Sequence, residues 1–105
     1  MECISIDDLH NRIHSLGPGD LILDVRTPEE FQSGHICGAQ NTPHEEVVNI
    51  ADHLKQYKTV YVHCKMGGRA KMAAQALQEN GLNNIVCVGD GGIERWTEMR
   101  WALEK

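Results

Sequence analysis

The sequence has 105 residues, of which 41% are hydrophobic, and a formal net charge of -5. We expect one compact domain over residues 1–105, because chains of about 100 to 150 residues usually form a single core. The acidic balance excludes a basic surface that would attract nucleic acid or anionic lipid. No stretch approaches the ~20 apolar residues of a membrane span, and no basic segment followed by an apolar run opens the chain. The cytoplasm is therefore the expected compartment.

The first third of the chain predicts two helices and one strand. Ser5 and Asp8 form a capping-box pattern, and the apolar residues that follow recur at helical spacing until a Gly-Pro pair at 17–18. Residues 21–25 form a short apolar run between turn residues, as expected of a buried parallel strand. Thr27, followed by a proline and two glutamates, predicts the start of a second helix.

The remainder alternates between helical and strand patterns. Residues 43–57 predict one or two helical turns, and residues 59–63 a central strand. Residues 69–80 carry apolar side chains at helical spacing, and residues 85–88 form another buried strand. A glycine pair at 91–92 opens a final helix. This alternation indicates an α/β fold around a mostly parallel sheet, which binds ligands beyond the carboxyl ends of its strands.

One segment carries the signature of an activated thiol. A predicted strand runs into Cys64, a glycine-containing turn follows, and then a helix begins. Main-chain amides of the turn and the dipole of the helix can converge on the Cys64 sulfur and favour its thiolate, while two glycines allow the loop to approach closely. The alternative is an inert core cysteine before an ordinary turn. The predicted site is Cys64 together with the side chains and amides of the next five residues, Lys65, Met66, Gly67, Gly68 and Arg69.

The sequence resembles the rhodanese family from about residue 4 to residue 96. The matching blocks are residues 24–31 (DVRTPEEF), 34–39 (GHICGA), 41–43 (NTP), 64–69 (CKMGGR) and 91–93 (GGI), with a tryptophan at 96. The resemblance implies a three-layer α/β domain with a central five-stranded parallel sheet flanked by helices. It also implies an active cysteine at the carboxyl end of that sheet.

By the same resemblance, Cys64 accepts a sulfane sulfur as a persulfide and passes it on. The implied donor is thiosulfate or another small anionic persulfide donor, and the implied acceptor is cyanide or a thiol. Lys65 and Arg69 would hold the sulfonate oxygens of thiosulfate. No cofactor and no metal are implied, and we expect a monomer that can also receive sulfur from, or deliver it to, a protein.

Supporting roles follow from the other blocks. Asp24 is expected to support the active loop structurally, and Arg26 is expected to pair with Glu30 and tie the second helix to the sheet. Cys37 stands where many family members have proline. It is either a small loop residue or a resolving cysteine that attacks a Cys64 persulfide.

Two further departures concern charge and the C-terminal tail. Larger family members place a second cation at the position of Met66, so this chain must depend on Lys65 and Arg69. The usual Gly and Pro after the final tryptophan are replaced by Arg100 and its neighbours. The tail is therefore expected to be a longer helix or an apolar edge that faces a partner.

Three alternatives to the thiosulfate reaction stay open. His-Cys followed by Arg is similar to the signature of cysteine phosphatases and arsenate reductases, but here four residues separate Cys64 and Arg69, against five in that signature. A persulfide carrier that acts only with a protein partner would also keep Cys64. His10 and His14, four residues apart on the first helix, suggest metal ligands, although an exposed helix face is the favoured interpretation. His35 and His63 are expected to make structural hydrogen bonds.

Overall fold

The structure, a computed structural model, describes residues 1–105. Five parallel strands form one sheet in the order β1-β5-β4-β2-β3, where the strands are β1 (Glu2–Ser5), β2 (Asp20–Asp24), β3 (Gln40–Asn41), β4 (Thr59–His63) and β5 (Ile85–Asp90). The helices are α1 (Ile6–Arg12), α2 (Pro28–Ser33), α3 (Ala51–Leu54), α4 (Gly68–Glu79) and α5 (Gly92–Glu98), with 3₁₀ segments at Ile13–Ser15 and His44–Ile50. None of the helices has the length and apolar character that crossing a bilayer requires. The α/β fold with a five-stranded parallel sheet is confirmed.

Helices cover both faces of the sheet, which gives the expected three layers. Alternate residues of each strand point to opposite faces, so Val60 and Val62 of β4 pack with α4 while Tyr61 packs on the other side. The first face carries 15 buried core residues, and the second carries 10 and meets α1 and α5. Both faces of the central strands are therefore apolar, the pattern of a buried parallel sheet.

Local sequence signals placed the helix starts correctly. The Ser5 hydroxyl accepts from the Asp8 amide at 3.1 Å, and the Asp8 carboxylate accepts from the Ser5 amide at 3.2 Å. Thr27 and Glu30 form the same reciprocal pair at the start of α2, with a proline in the first turn. These capping boxes satisfy amides that a helix start would otherwise leave unpaired.

The C-terminal tail differs from one of the two expectations. Helix α5 ends at Glu98, so the predicted longer helix is wrong. The chain instead turns back, and Trp101 stacks on His10 with ring centroids 3.7 Å apart. The Trp96 indole N–H donates to the Ala102 carbonyl at 2.9 Å. These contacts hold the tail on its own domain, and the partner-facing apolar edge stays a prediction.

The reversal after α5 depends on a strained residue. Arg100 has φ of 57°, its amide donates to the Thr97 carbonyl at 3.0 Å, and the Trp101 amide donates to the Trp96 carbonyl at 3.2 Å. This pair of bonds is a Schellman motif, in which glycine usually takes the left-handed position. Arg100 therefore takes the place of the missing family glycine and keeps the motif, but it pays the conformational cost of a left-handed backbone.

Arg100→Gly is expected to stabilise the protein by about 1 kcal/mol, because glycine removes the penalty of the left-handed conformation. Arg100→Ala keeps the Cβ atom and should bring no such gain, which separates the backbone effect from loss of charge. Urea unfolding of the three proteins measures both differences. Equal stabilities for the glycine and alanine variants would contradict the prediction.

Candidate active site

Cys64 lies immediately after β4, at the carboxyl end of the sheet, and is 1% exposed. Its Sγ atom accepts two main-chain hydrogen bonds, from the Gly67 amide at 3.0 Å and from the Ala70 amide at 3.3 Å. Ala70 lies in the first turn of α4, where amides have no partner within the helix. The sulfur therefore sits where a turn amide and a helix start both favour a negative charge.

The start of α5 holds the main chain of the loop around Cys64. The carbonyls of Cys64 and Lys65 accept from the Ile93 and Glu94 amides at 2.9 and 3.0 Å, at the start of α5. A Cβ atom on Gly92 would lie 2.5 Å from the Cys64 carbonyl oxygen, so this close approach requires glycine. The main chain of the loop thus turns its carbonyls towards α5 and leaves amides for the sulfur.

The five predicted loop residues have different roles. Gly67 has φ of 127° and backs directly onto the main chain of Gly89 in β5. Gly68 is exposed, and a Cβ atom there would meet nothing within 4 Å, so the expected close approach at Gly68 is wrong. The side chains of Lys65 and Met66 are exposed. Gly67 alone among the five supplies an amide to Sγ, and the second donor, Ala70, was missed.

Arg69 does not present a free charge. Its Nη1 and Nη2 atoms donate to the two carboxylate oxygens of Glu30 at 2.7 and 3.0 Å. The pKa of Arg69 is raised, chiefly by these bonds and to a smaller extent by the charge of Cys64. The guanidinium is therefore already paired with a carboxylate from α2, and the contact of its charged end with a substrate stays a prediction.

Arg26 pairs with Asp24, so the expected Arg26–Glu30 pair is also wrong. Asp24 is fully buried and accepts from Arg26 Nε at 2.9 Å, Arg26 Nη2 at 2.7 Å and the Arg26 amide at 3.0 Å. Arg26 Nη2 also donates to the Gly34 carbonyl at 2.8 Å. Asp24 anchors the cation that ties the end of β2 to the segment after α2. Support of the active loop by Asp24 stays a prediction.

Glu30 is the site carboxylate with the largest change in acidity. Hydrogen bonds from Arg69 are the main cause that lowers its pKa from 4.5 to about 2. A carboxyl group that is more acidic in the folded state contributes stability above its unfolded pKa, and that contribution is lost as pH falls towards the folded value. The Glu30–Arg69 pair should therefore stabilise the protein above about pH 4.5 and cease to do so near pH 2.

Glu30→Gln tests this pair, because glutamine can keep the capping box with Thr27 but loses the charge and one of the two acceptors for Arg69. Between pH 4.5 and pH 2, the unfolding free energy of the wild-type protein should fall by about 1 kcal/mol more than that of the variant. This difference is smaller than the pKa shift alone would give, because solvent screens a partly exposed ion pair. Urea unfolding at a series of pH values measures the difference, and parallel curves would show that the pair adds nothing.

No histidine contacts the Cys64 sulfur. His63 is fully buried, and burial is the main cause that lowers its pKa. Its Nε2 atom has no hydrogen-bond partner and lies 3.9 Å from Asp24 Oδ2, while Nδ1 lies 3.4 Å from the Cys64 carbonyl oxygen. His35 stacks on Phe31 with ring centroids 3.8 Å apart. The site therefore contains no histidine base for the thiol, and the hydrogen bonds to Sγ come from main-chain amides.

Cys37 lies away from the Cys64 loop. It lines a cleft of about 360 Å³ together with His14 and Asp20, at the amino end of β2. Cys64 follows the opposite, carboxyl end of β4, which pairs with β2 in register. Four residues of strand separate these ends by roughly 13 Å. The structure therefore contradicts a resolving role for Cys37, and the pKa of its exposed thiol is raised mainly by Glu104.

The candidate metal ligands His10 and His14 are not arranged as a site. No group of three or more His, Cys, Asp or Glu side chains converges as metal ligands would. His10 stacks on Trp101 and meets Trp96 edge to face, so it is not on the exposed helix face expected for it. His14 lines the cleft next to Cys37.

Comparisons with known proteins agree with this geometry. The chain is 36% identical over 76 residues to the putative sulfur carrier protein YrkF of Bacillus subtilis, a match that covers 72% of this chain. It is 33% identical to thiosulfate sulfurtransferase 16, chloroplastic, of Arabidopsis thaliana, over 76% of each chain. The solved structure of SSP1007 from Staphylococcus saprophyticus matches with a TM-score of 0.83 and 34% identity over all of both chains.

This chain is shorter than the two Bacillus subtilis relatives that it matches. The chain spans 40% of the length of YrkF and 59% of a second Bacillus subtilis relative. The family model described as rhodanese-like domain matches residues 5–99, which is nearly the whole chain. With the parallel sheet and the cysteine loop at its carboxyl end, this match shows that the chain belongs to the rhodanese-like domain family.

Proposed function

We propose that the protein is a sulfurtransferase in which Cys64 carries a sulfane sulfur from thiosulfate or another persulfide donor to cyanide or a thiol. The observation that carries the proposal is a pair of hydrogen bonds to the nearly buried Cys64 Sγ, from the Gly67 amide at 3.0 Å and the Ala70 amide at 3.3 Å. Amide donors favour a thiolate without an adjacent base. Relatives named as a thiosulfate sulfurtransferase and a putative sulfur carrier support the same chemistry.

The first half-reaction loads the cysteine. The Cys64 thiolate attacks the outer sulfur of thiosulfate, the sulfur–sulfur bond of thiosulfate breaks, and sulfite leaves with the electron pair. A persulfide remains on Cys64. The Gly67 and Ala70 amides hold Sγ as the reaction begins, so little rearrangement of the loop is needed.

The second half-reaction unloads the cysteine. Cyanide or a thiolate attacks the terminal sulfur of the persulfide, and Cys64 leaves as a thiolate. The products are thiocyanate or a new persulfide. The same two amides favour this leaving group, because they stabilise the anion that forms on Sγ. The first product leaves before the acceptor reacts, so ping-pong kinetics are expected.

The charges around the loop favour a second candidate, a carrier that receives sulfur from a protein. Arg69 is occupied by Glu30, and Met66 is 64% exposed where a cation would help to bind thiosulfate. Lys65 lines a cleft of about 460 Å³ that also contains the acidic side chains Glu30, Glu94 and Glu98. Such a cleft is a poor receptor for a dianion, so a persulfide on a protein is the better physiological donor.

A phosphatase reaction is disfavoured by the same geometry. Four residues separate Cys64 from Arg69, and the Arg69 guanidinium that would bind a phosphate is held by both oxygens of Glu30. The loop offers its amides to one sulfur, and Lys65 is its only cation that no carboxylate holds. Hydrolysis of an aryl phosphate by the wild-type protein above that by Cys64→Ser would overturn this view.

A panel of donors tests the function directly. Reduced protein is incubated with thiosulfate, with a small persulfide, or with a persulfide-loaded cysteine desulfurase, and its intact mass is then measured. Loading is expected to add about 32 mass units to the wild-type protein. The protein donor should load it at lower concentrations than thiosulfate does. The Cys64→Ser variant should gain no mass. Wild-type protein that accepts sulfur from none of the donors would refute the proposal. An equal mass gain by Cys64→Ser would show that another cysteine accepts the sulfur.

We also propose that this reaction takes place in the cytoplasm and that the protein acts as a monomer. All four cysteines are free thiols, the state that a reducing compartment maintains. Size-exclusion chromatography of the reduced protein should give a mass near 11.8 kDa. A mass of twice that value would contradict the monomer.

A further inference from the structure

Two cysteines outside the active loop lie opposite each other on neighbouring strands. Cys3 of the edge strand β1 pairs in register with Cys87 of β5. Residues in register on adjacent strands are about 4.8 Å apart and project to the same face of the sheet. That spacing lies within the roughly 4.4 to 6.8 Å between Cα atoms that a disulfide spans.

The surroundings of the two thiols differ in a way that suits a stepwise reaction. Cys3 is exposed and lines a cleft of about 440 Å³ with Lys71 and Gly89, whereas Cys87 is fully buried. Burial is the main cause that raises the pKa of Cys87 to about 11, with Cys3 adding to the shift. Cys87 is therefore protected from reagents in solution, and Cys3 is the thiol that they can reach.

The flexible side chain of Lys71 lies beside Cys87 on the side of Gly89. A Cβ atom on Gly89 would lie 3.8 Å from Cys87 Sγ and 2.9 Å from Lys71 Cε, so this side of Cys87 is bordered by a side chain that can move. Strand β1 is short and lies at the edge of the sheet, with no neighbour on its outer side. Small adjustments of Cys3 towards Cys87 therefore require no movement of the core.

We propose that Cys3 and Cys87 form a redox site that closes into a reversible disulfide between β1 and β5 on reaction with a low-molecular-weight disulfide. The site is separate from the sulfur chemistry of Cys64. An uncharged disulfide also suits the buried position of Cys87 better than a thiolate does.

The reaction proceeds by two exchanges. The Cys3 thiolate attacks one sulfur of the small disulfide, whose sulfur–sulfur bond breaks and releases one thiolate. Cys87 then loses its proton to water, and its sulfur attacks Cys3, which releases the second thiolate. The protein loses two electrons and two protons, and the small disulfide gains them as two thiols. The positive charge of Lys71 partly opposes the rise in the pKa of Cys87 and so favours the second step.

The experiment uses the Cys64→Ser protein, so that failure of the sulfurtransferase proposal would not affect it. After treatment with oxidised glutathione, intact mass should fall by about 2 units, and alkylation in denaturant should label only Cys37. Peptide mapping should join Cys3 to Cys87. The melting temperature should rise by about 10 °C and return with dithiothreitol, because the bond closes a long loop.

Matched variants in the same background separate the possible outcomes. Cys37→Ser should form the bond normally, and Cys87→Val should accumulate a stable glutathione adduct on Cys3. Cys3→Ser should leave Cys87 reduced. A persistent glutathione adduct on Cys3 with Cys87 still free, a Cys3–Cys37 link, or a dimer joined through Cys3 would each overturn the proposal.

Discussion

Gly67→Ala is expected to lower the rate at which Cys64 accepts sulfur by about a hundredfold and to destabilise the fold by about 2 to 4 kcal/mol. A Cβ atom at this position would lie 1.7 Å from the Gly89 carbonyl oxygen, and the residue has φ of 127°. Because the obstacle is main chain in a central strand, the loop must move instead. That movement takes the Gly67 amide away from the sulfur, to which it now donates at 3.0 Å.

Gly68→Ala is the matched control, since it adds the same methyl group one residue later. Gly68 begins α4, and a Cβ atom there meets nothing within 4 Å. This variant should load sulfur at nearly the wild-type rate and change stability by less than about 0.5 kcal/mol. Loading is measured by mass at a temperature where circular dichroism shows both variants folded. Wild-type loading by Gly67→Ala would show that the amide has no part in the reaction.

The features that the sequence predicted well are local. Strands β2, β4 and β5 are runs of apolar residues bounded by turns, and their patterns need no knowledge of distant partners. The same holds for the capping boxes at Ser5 and Thr27 and for Cys64 between a strand and a helix. Strands β1 and β3 were missed. The two-residue β3 has no periodicity of its own, and the four-residue β1 runs directly into α1.

The features that the sequence could not predict are pairings over distance. Arg69 and Glu30 are 39 residues apart, and only the fold brings them together. The expected pair of Arg26 with Glu30 does not form, because Arg26 precedes α2 and turns towards buried Asp24. The Ala70 donor could have been found, because the first amides of any helix are unpaired and the predicted helix began beside the cysteine.

These pairings change the interpretation of the site. Two of the three cations near the loop are bound by carboxylates, Arg26 by Asp24 and Arg69 by Glu30, and Lys65 remains. The groups that donate to the sulfur are therefore main-chain amides, which in the proposed reaction suit a leaving thiolate as well as an attacking one. A receptor for a small dianion would need free cations instead, so the charge pattern explains why a protein donor is the better candidate.

Asp24→Ala is expected to destabilise the protein by about 3 to 5 kcal/mol, because it leaves the Arg26 guanidinium buried without a counter-charge. Arg26 is 5% exposed, and its guanidinium donates three hydrogen bonds to the Asp24 carboxylate. Urea unfolding measures the change. Asp7→Ala, which removes one partner of the exposed Asp7–Arg95 pair, should cost less than about 1 kcal/mol and shows what loss of a surface pair contributes.

The double variant Asp24→Ala with Arg26→Met separates the cost of an orphaned charge from the value of the pair itself. If the destabilisation comes from the unpaired guanidinium, removal of that charge should restore at least half of the lost stability, since apolar replacements of buried ion pairs are often nearly neutral. If the double variant is no more stable than Asp24→Ala, the hydrogen bonds of this pair to the Arg26 amide and the Gly34 carbonyl hold the end of β2 in place. In that case sulfur loading should fall with stability, because β2 pairs with the strand that ends at Cys64.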